Sequence, residues 1–149
     1  SSHVVIVARD YAEKYTGATN LEEACCIIHD RGALIAGVTD GANGSYFVWP
    51  DGTAYRCQPF PQASVVDTTG AGDSFHGAFL SKLAVSIRQE NALYGEFIKP
   101  IDILQSLDHK QLESAAIFAS AVSALNTQGI GGRSALPSLK SACNLAGLE

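Results

Sequence analysis

The sequence predicts an α/β fold, a mostly parallel sheet layered between helices. Two almost continuously apolar runs, residues 4–7 and 33–39, have the length and side chains of strands covered on both faces. Stretches with helical spacing alternate with them. A third observation marks where a ligand would sit. Asp67-Thr68-Thr69-Gly70-Ala71-Gly72-Asp73-Ser74-Phe75 sets a small-residue turn and two carboxylates at the start of an apolar-patterned helix.

Each element has its own signal. Residues 4–7 read as the first strand, followed by a short helix over 10–15 that Gly17 ends. Asn20, with Glu23 three positions on, makes a capping-box-like start for a helix to about Asp30, and Gly32 terminates it. Residues 33–39 give the second strand. Residues 45–49 and 54–58 flank Pro50-Asp51-Gly52-Thr53, the chemistry of a turn, and predict a hairpin. Residues 63–66 are short and partly β-branched, and predict a strand leading into the Gly70 turn. Beyond it, Phe75, Phe79, Leu80, Leu83, Ala84 and Ile87 fall on one face of a long helix. Residues 91–107 are less regular and predict a connection with a short turn. Residues 110–126 read as an Ala-rich helix with Leu112, Ala115, Ala116, Ala119 and Val122 on one face. Pro137 suits the first turn of a last helix through Cys143.

Composition removes several function classes. A chain of 149 residues is one domain by size and can bury a core. With 46% hydrophobic and 17% charged residues it is globular rather than disordered. A formal net charge of −5 and the lack of any basic run argue against nucleic-acid partners and a membrane-binding patch. No apolar run approaches the roughly 18 residues of a membrane span. Cys25, Cys26, Cys57 and Cys143 lack zinc-site spacing and read as reduced thiols of a cytoplasmic protein.

The turn carries the chemistry. The first N–H groups of a helix have no internal partner, and the macrodipole adds positive potential there. Gly70 and Gly72 let a ligand approach the backbone, so the turn is a seat for a phosphate. Asp73 either caps the helix or acts on the bound ligand, and the helix N-terminus favours its negative charge. Asp67 either caps a turn or takes part in the site. No G-x-x-x-x-G-K-[ST] string occurs, which excludes the Walker phosphate loop.

The full string D-T-T-G-A-G-D-S-F closely resembles the signature of the ribokinase-like (PfkB) carbohydrate kinases. Val38-Thr39-Asp40-Gly41-Ala42-Asn43-Gly44-Ser45 resembles that family's strand and turn beside the nucleotide. Residues 118–129 resemble its adenine-side helix and exit, and Gly131-Gly132-Arg133-Ser134-Ala135-Leu136-Pro137 its closing loop. Tyr11-Ala12-Glu13-Lys14-Tyr15-Thr16-Gly17 is similar to the helix preceding the nucleotide half. The string at residues 4–10 is similar to ketohexokinase-like members. Nearly all 149 residues match, but only the family's C-terminal half is covered. The expectation is the C-terminal portion of a ribokinase-like fold, with residues 1–149 as nucleotide-binding and catalytic part and the lid and sugar-binding half absent.

The resemblance implies ATP-dependent phosphorylation of a sugar hydroxyl. A nucleoside or sugar-phosphate kinase, or a catalytically silent nucleotide-binding domain, stands as the alternative. The amides of Gly70, Ala71 and Gly72 would form an anion hole, and Asp73 would be the catalytic base. Thr39, Gly41, Gly44, Thr69 and Ser120 would line the nucleotide. Asp67 and Thr69, with carbonyls around Thr127 to Ser134, would cage K⁺. Ser120 stands where many relatives carry Asn, and its single hydroxyl reaches less far. Ala8 and Tyr11 stand where many members carry an N-x-x-E motif that serves Mg²⁺ and phosphate. His76 is either a substrate-side contact or an ordinary helix position. The resemblance leaves a homodimer open for the full-length protein. The isolated chain is expected to bind nucleotide weakly and to be inactive.

Overall fold

The computed structural model describes residues 2–61, 64–94 and 99–148. Strand β1 (Val4–Ala8) leads into α1 (Arg9–Thr16), and α2 (Leu21–Asp30) returns the chain to β2 (Ile35–Thr39). Gly17, left-handed at φ 79°, closes α1, and the Asn20 side chain caps α2 by accepting the Glu23 N–H at 2.8 Å. A 3₁₀ turn, Gly41–Asn43, precedes β3 (Ser45–Val48) and β4 (Ala54–Cys57). Four helices follow: α3 (Ala71–Tyr94), α4 (Pro100–Ser106), α5 (His109–Asn126) and α6 (Leu139–Ala146).

The four strands form one sheet in the order β1-β2-β3-β4. β1 pairs with β2 in parallel, with Val4 opposite Ile35, whereas β2·β3 and β3·β4 are antiparallel. The layered α/β class therefore holds, but the mostly parallel sheet narrows to one pair. The short links at Asp40–Gly44 and Pro50–Thr53 allow only hairpin returns, since a parallel crossover needs a dozen residues or more.

Side-chain alternation along β2 divides the core. Ile35 joins Phe47, Trp49, Phe75, Phe79, Leu83, Leu112 and Ala116 on the face covered by α3 and α5. Ala36 and Val38 join Ala12, Cys25, Ile28 and Val48 on the α1–α2 face. Phe47 is the centre of the larger cluster, stacked on Trp49 at 4.9 Å and on Phe79 at 5.3 Å between ring centroids. These offset contacts tie sheet to signature helix.

Several expectations fail locally. Ser64, Val65 and Val66 join no strand, and both valines are more than half exposed; Ala63 lies outside the described residues. Among the described residues, the one backbone bond of this stretch runs from Val66 N–H to the Thr127 carbonyl, at 2.8 Å, and no sheet neighbour fixes a ladder. Leu80 is 51% exposed, because α3 buries the narrower stripe of Phe75, Ala78, Phe79 and Leu83. Within residues 91–107, α3 persists to Tyr94 and Pro100 opens a true helix, α4; residues 95–98 lie outside the described residues. Pro137 precedes the last helix instead of starting it, since Ser138 is the cap and accepts the Ser141 N–H at 3.1 Å.

Candidate active site

Two clefts meet at the start of α3. One, of about 660 Å³, is lined by Thr39, Gly41, Gly44 and Ser45 from the β2–β3 turn. Its other walls include Ala8, the Pro59-Phe60-Pro61 lip, Ser120 and Thr127 of the α5 side, and Ala71 and Gly72. The second, of about 720 Å³, is lined by Thr69, Gly70, Asp73, Ser74, Phe118 and Arg133 among others. Four consecutive residues thus form a partition, with Ala71 and Gly72 facing one cleft and Gly70 and Asp73 the other.

The sequence explains each wall. Asp40 N–H bonds to the Gly44 carbonyl at 2.8 Å, closing the turn before β3. Gly44 adopts φ 86°, and a Cβ there would lie 2.3 Å from the Cys57 carbonyl oxygen, so only glycine lets β3 approach β4. Asp40 Oδ2 accepts both Arg9 Nη1 and Asn43 Nδ2 at 3.1 Å, bracing the turn from outside. Ser123, on α5, donates to the Ala71 carbonyl at 2.9 Å and so fixes the start of α3.

The partition is built as a helix N-terminus. Gly70 has φ 76°, and Ser74 N–H closes the first helical bond on its carbonyl at 2.9 Å. Ala71 N–H is already bound to the Thr68 carbonyl at 3.1 Å, so the anion hole loses one of its expected donors. Among the described residues, the N–H groups of Gly70, Gly72 and Asp73 have no backbone acceptor. They are available to an anion. Asp73 is exposed in its cleft.

Asp67 is spoken for. Its Oδ1 accepts Thr69 N–H and its Oδ2 accepts Gly131 N–H, each at 2.8 Å. The Thr69 hydroxyl first, then the Gly131 and Thr69 N–H groups, hold its carboxyl below the usual carboxylate range. The Thr127 carbonyl accepts from both Val66 and Asp67 N–H, filling its two lone pairs, and Ser134 donates its hydroxyl to the Ile130 carbonyl. Of the expected cation ligands, the Thr127 carbonyl is thus engaged, whereas Asp67 keeps lone pairs and the carbonyls of Thr69 and Ser134 accept no backbone hydrogen bond among the described residues. No group of three His, Cys, Asp or Glu residues poised for a metal ion occurs among the described residues.

The structure brings Thr39, Gly41, Gly44, Ser120, Thr127, Ala71 and Gly72 to one cleft, and Thr69, Gly70 and Asp73 to the other. Asp67 and Ser134 line neither. His76 lies edge-on to Phe75 at 6.5 Å and lines neither cleft. Sequence reasoning passed over Ser45, the Pro59–Pro61 lip, Ser123 and Arg133 as site residues. The paired prolines were a legible signal of a rigid wall. Ser45 is 3% exposed, and although it ends the string that resembles the family's turn beside the nucleotide, nothing in the sequence singled it out as a lining residue. All four cysteines are free, and burial pushes the Cys25 thiol up to about 12.

Comparison with known proteins bears on the family and the fold. The pattern described as pfkB family carbohydrate kinase matches residues 1–139. The bifunctional ribokinase/ribose-5-phosphate isomerase A of Fructilactobacillus sanfranciscensis is 31% identical over 116 residues, which is 78% of this chain and 17% of that protein. Aminoimidazole riboside kinase of Salmonella typhimurium is 33% identical over 92 residues, 62% of this chain and 28% of that protein. A fructokinase double mutant from Vibrio cholerae O395, solved with fructose, ADP and potassium ion, superposes with a TM-score of 0.74 at 24% identity. That match covers 97% of this chain and 40% of that one, and shows the ribokinase-like fold. The chain thus spans well under half the length of these relatives. No helix among the described residues is long and apolar enough to cross a membrane. By its matched residues and its fold, the chain belongs to the pfkB family of carbohydrate kinases.

Proposed function

We propose that this chain is the nucleotide-binding and catalytic portion of an ATP-dependent kinase acting on a hydroxyl of a sugar or related small polyol. One observation carries the reading: a cleft walled by Thr39, Gly41, Gly44 and Ser120 ends on the signature turn, and Asp73 stands on that turn's far side. The base and sugar of the nucleotide occupy the cleft, with the phosphates on the free amides of Gly70, Gly72 and Asp73. Asp73 accepts the proton of the attacking hydroxyl as the new P–O bond forms.

The residues fit the two metal ions unequally. Among the described residues no Asp or Glu lines the nucleotide cleft, and Ala8 is part of its wall, so these residues supply no carboxylate there for Mg²⁺, which nucleotide phosphates themselves can hold. A monovalent cation would rest on Asp67 and the Thr69 carbonyl, where it would screen the phosphoryl charge. Four free thiols support a cytoplasmic setting. Ala8 in the cleft wall favours a second reading, a nucleotide-binding domain without turnover.

The test is Asp73→Asn in the protein that carries this sequence. ADP affinity should stay within a few fold while the phosphorylation rate falls at least about 10²-fold. Near-normal turnover removes Asp73 from the role, and no turnover before mutation selects the second reading.

A further inference from the structure

Among the residues lining the cleft that contains Asp73, Arg133 is the sole cation and Asp73 the sole carboxylate. Among the described residues, the nucleotide cleft across the partition has no charged lining residue. Arg133 is not committed elsewhere. Among the described residues its guanidinium enters no ion pair and donates no hydrogen bond.

The backbone of Arg133 is fixed by the turn that bears Asp73. Gly131 is held on Asp67, and Gly132 touches Gly70 so closely that a Cβ on Gly70 would lie 2.6 Å from the Gly132 Cα. Asn126 Nδ2 also reaches the Gly132 carbonyl at 3.5 Å. Arg133 thus lines the Asp73 cleft from a backbone held one residue past that contact, although the loop that carries it has no regular secondary structure.

We propose that Arg133 binds the phosphoryl group in transit, neutralising it from the side opposite the free amides of Gly70, Gly72 and Asp73. The proposal deepens the kinase reading and rests on it. In the transfer, the bond between the γ-phosphorus and the β,γ-bridging oxygen breaks, and its electron pair leaves with ADP. The acceptor oxygen bonds to phosphorus and gives its proton to Asp73. Throughout, negative charge is spread over three equatorial oxygens, and protein catalysis of this step is largely positioning and neutralisation. A guanidinium offers a planar fork of donors matched to phosphate oxygens, which an ammonium lacks. No other cation among the described residues lines either cleft.

The experiment uses ADP with beryllium and fluoride, whose fluoroberyllate adduct mimics a bound phosphoryl group, on this chain and its Arg133→Gln and Arg133→Lys variants. Arg133 is exposed, so both variants should fold. ADP alone should bind all three within about twofold, because the contact is to the transferred group. Fluoroberyllate should tighten ADP binding to the unmodified chain. Arg133→Gln should lose at least about tenfold of that tightening, and Arg133→Lys should keep part of it. Equal tightening in Arg133→Gln overturns the proposal, as it would if Arg133 served an anionic acceptor instead. No tightening in an unmodified chain that binds ADP overturns it too. No ADP binding by the unmodified chain is a separate outcome that removes the nucleotide reading itself, and the proposal with it.

Discussion

Asp67 and Gly131 are joined across 64 residues of sequence by a 2.8 Å hydrogen bond from the Gly131 N–H to Asp67 Oδ2. The other carboxylate oxygen holds Thr69 N–H, so one side chain fixes both the approach to the signature turn and the glycine-rich loop that meets it. The loop so held carries Gly132 and Arg133, which line the cleft that contains Asp73.

The link is pH-dependent in a defined direction. Hydrogen bonds from Thr69 and Gly131 depress the Asp67 pKa in the folded state. A depressed carboxylate adds stability that is fully present above its unfolded pKa, near 3.9, and is lost as pH falls through the folded value. Asp67→Asn should therefore be less stable than the unmodified chain at neutral pH, and the gap should shrink as pH drops below about 4. Urea unfolding across that range measures it. A gap that does not change with pH would contradict the assignment.

Gly70 and Gly72 should respond oppositely to alanine. Gly70 has φ 76° and abuts the Gly132 backbone, so Gly70→Ala should destabilise by at least about 1–2 kcal/mol. Gly72 has a helical setting with open space at its Cβ, so Gly72→Ala should fold as well or slightly better. The added methyl stands in the nucleotide cleft and should weaken ADP binding. Thermal unfolding beside calorimetry separates the two effects.

The apolar stripe of α3 makes a sharper contrast. Phe79 is fully buried and stacks on Phe47, so Phe79→Ala should cost about 3–5 kcal/mol. Leu80, its neighbour, is half exposed, and Leu80→Ser should stay within about 1 kcal/mol. Comparable losses at both positions would mean that the helix is rotated from the orientation described.

Cation dependence tests the expected cage. If Asp67 and the Thr69 carbonyl hold K⁺, replacing Na⁺ with K⁺ should raise the phosphorylation rate, and Asp67→Ala should abolish that response. A rate indifferent to the cation would leave Asp67 with its structural bonds alone.

The sequence reveals elements whose signals are local. Asn20 and Glu23 cap α2, Gly17 ends α1, and the Pro50–Thr53 turn makes its hairpin, because each depends on neighbours along the chain. Residues 64–66 look like a strand but have no sheet neighbour, and pairing is not a local property. Leu80 has the right spacing for the buried face, yet the width of that face is set by Phe47 and α5, from elsewhere in the chain. At the site, the turn was legible because amides, glycines and carboxylate lie within nine consecutive residues. Arg133 and Ser45 were not, since only the fold brings them to the clefts. The filling of the Thr127 carbonyl by the N–H groups of Val66 and Asp67, some sixty residues away, was not legible either, since no spacing rule connects them.

The central claim is that a nucleotide lies between the β2–β3 turn and the signature turn, with its phosphates on the amides beside Asp73. A ¹⁵N–¹H correlation titration of the chain with ADP addresses it residue by residue. The account predicts saturable shifts at Thr39, Gly41, Gly44, Gly70, Gly72, Asp73 and Ser120, and smaller ones with adenosine at Gly70, Gly72 and Asp73. Saturable ADP binding that leaves the Gly70, Gly72 and Asp73 amides unmoved would contradict it.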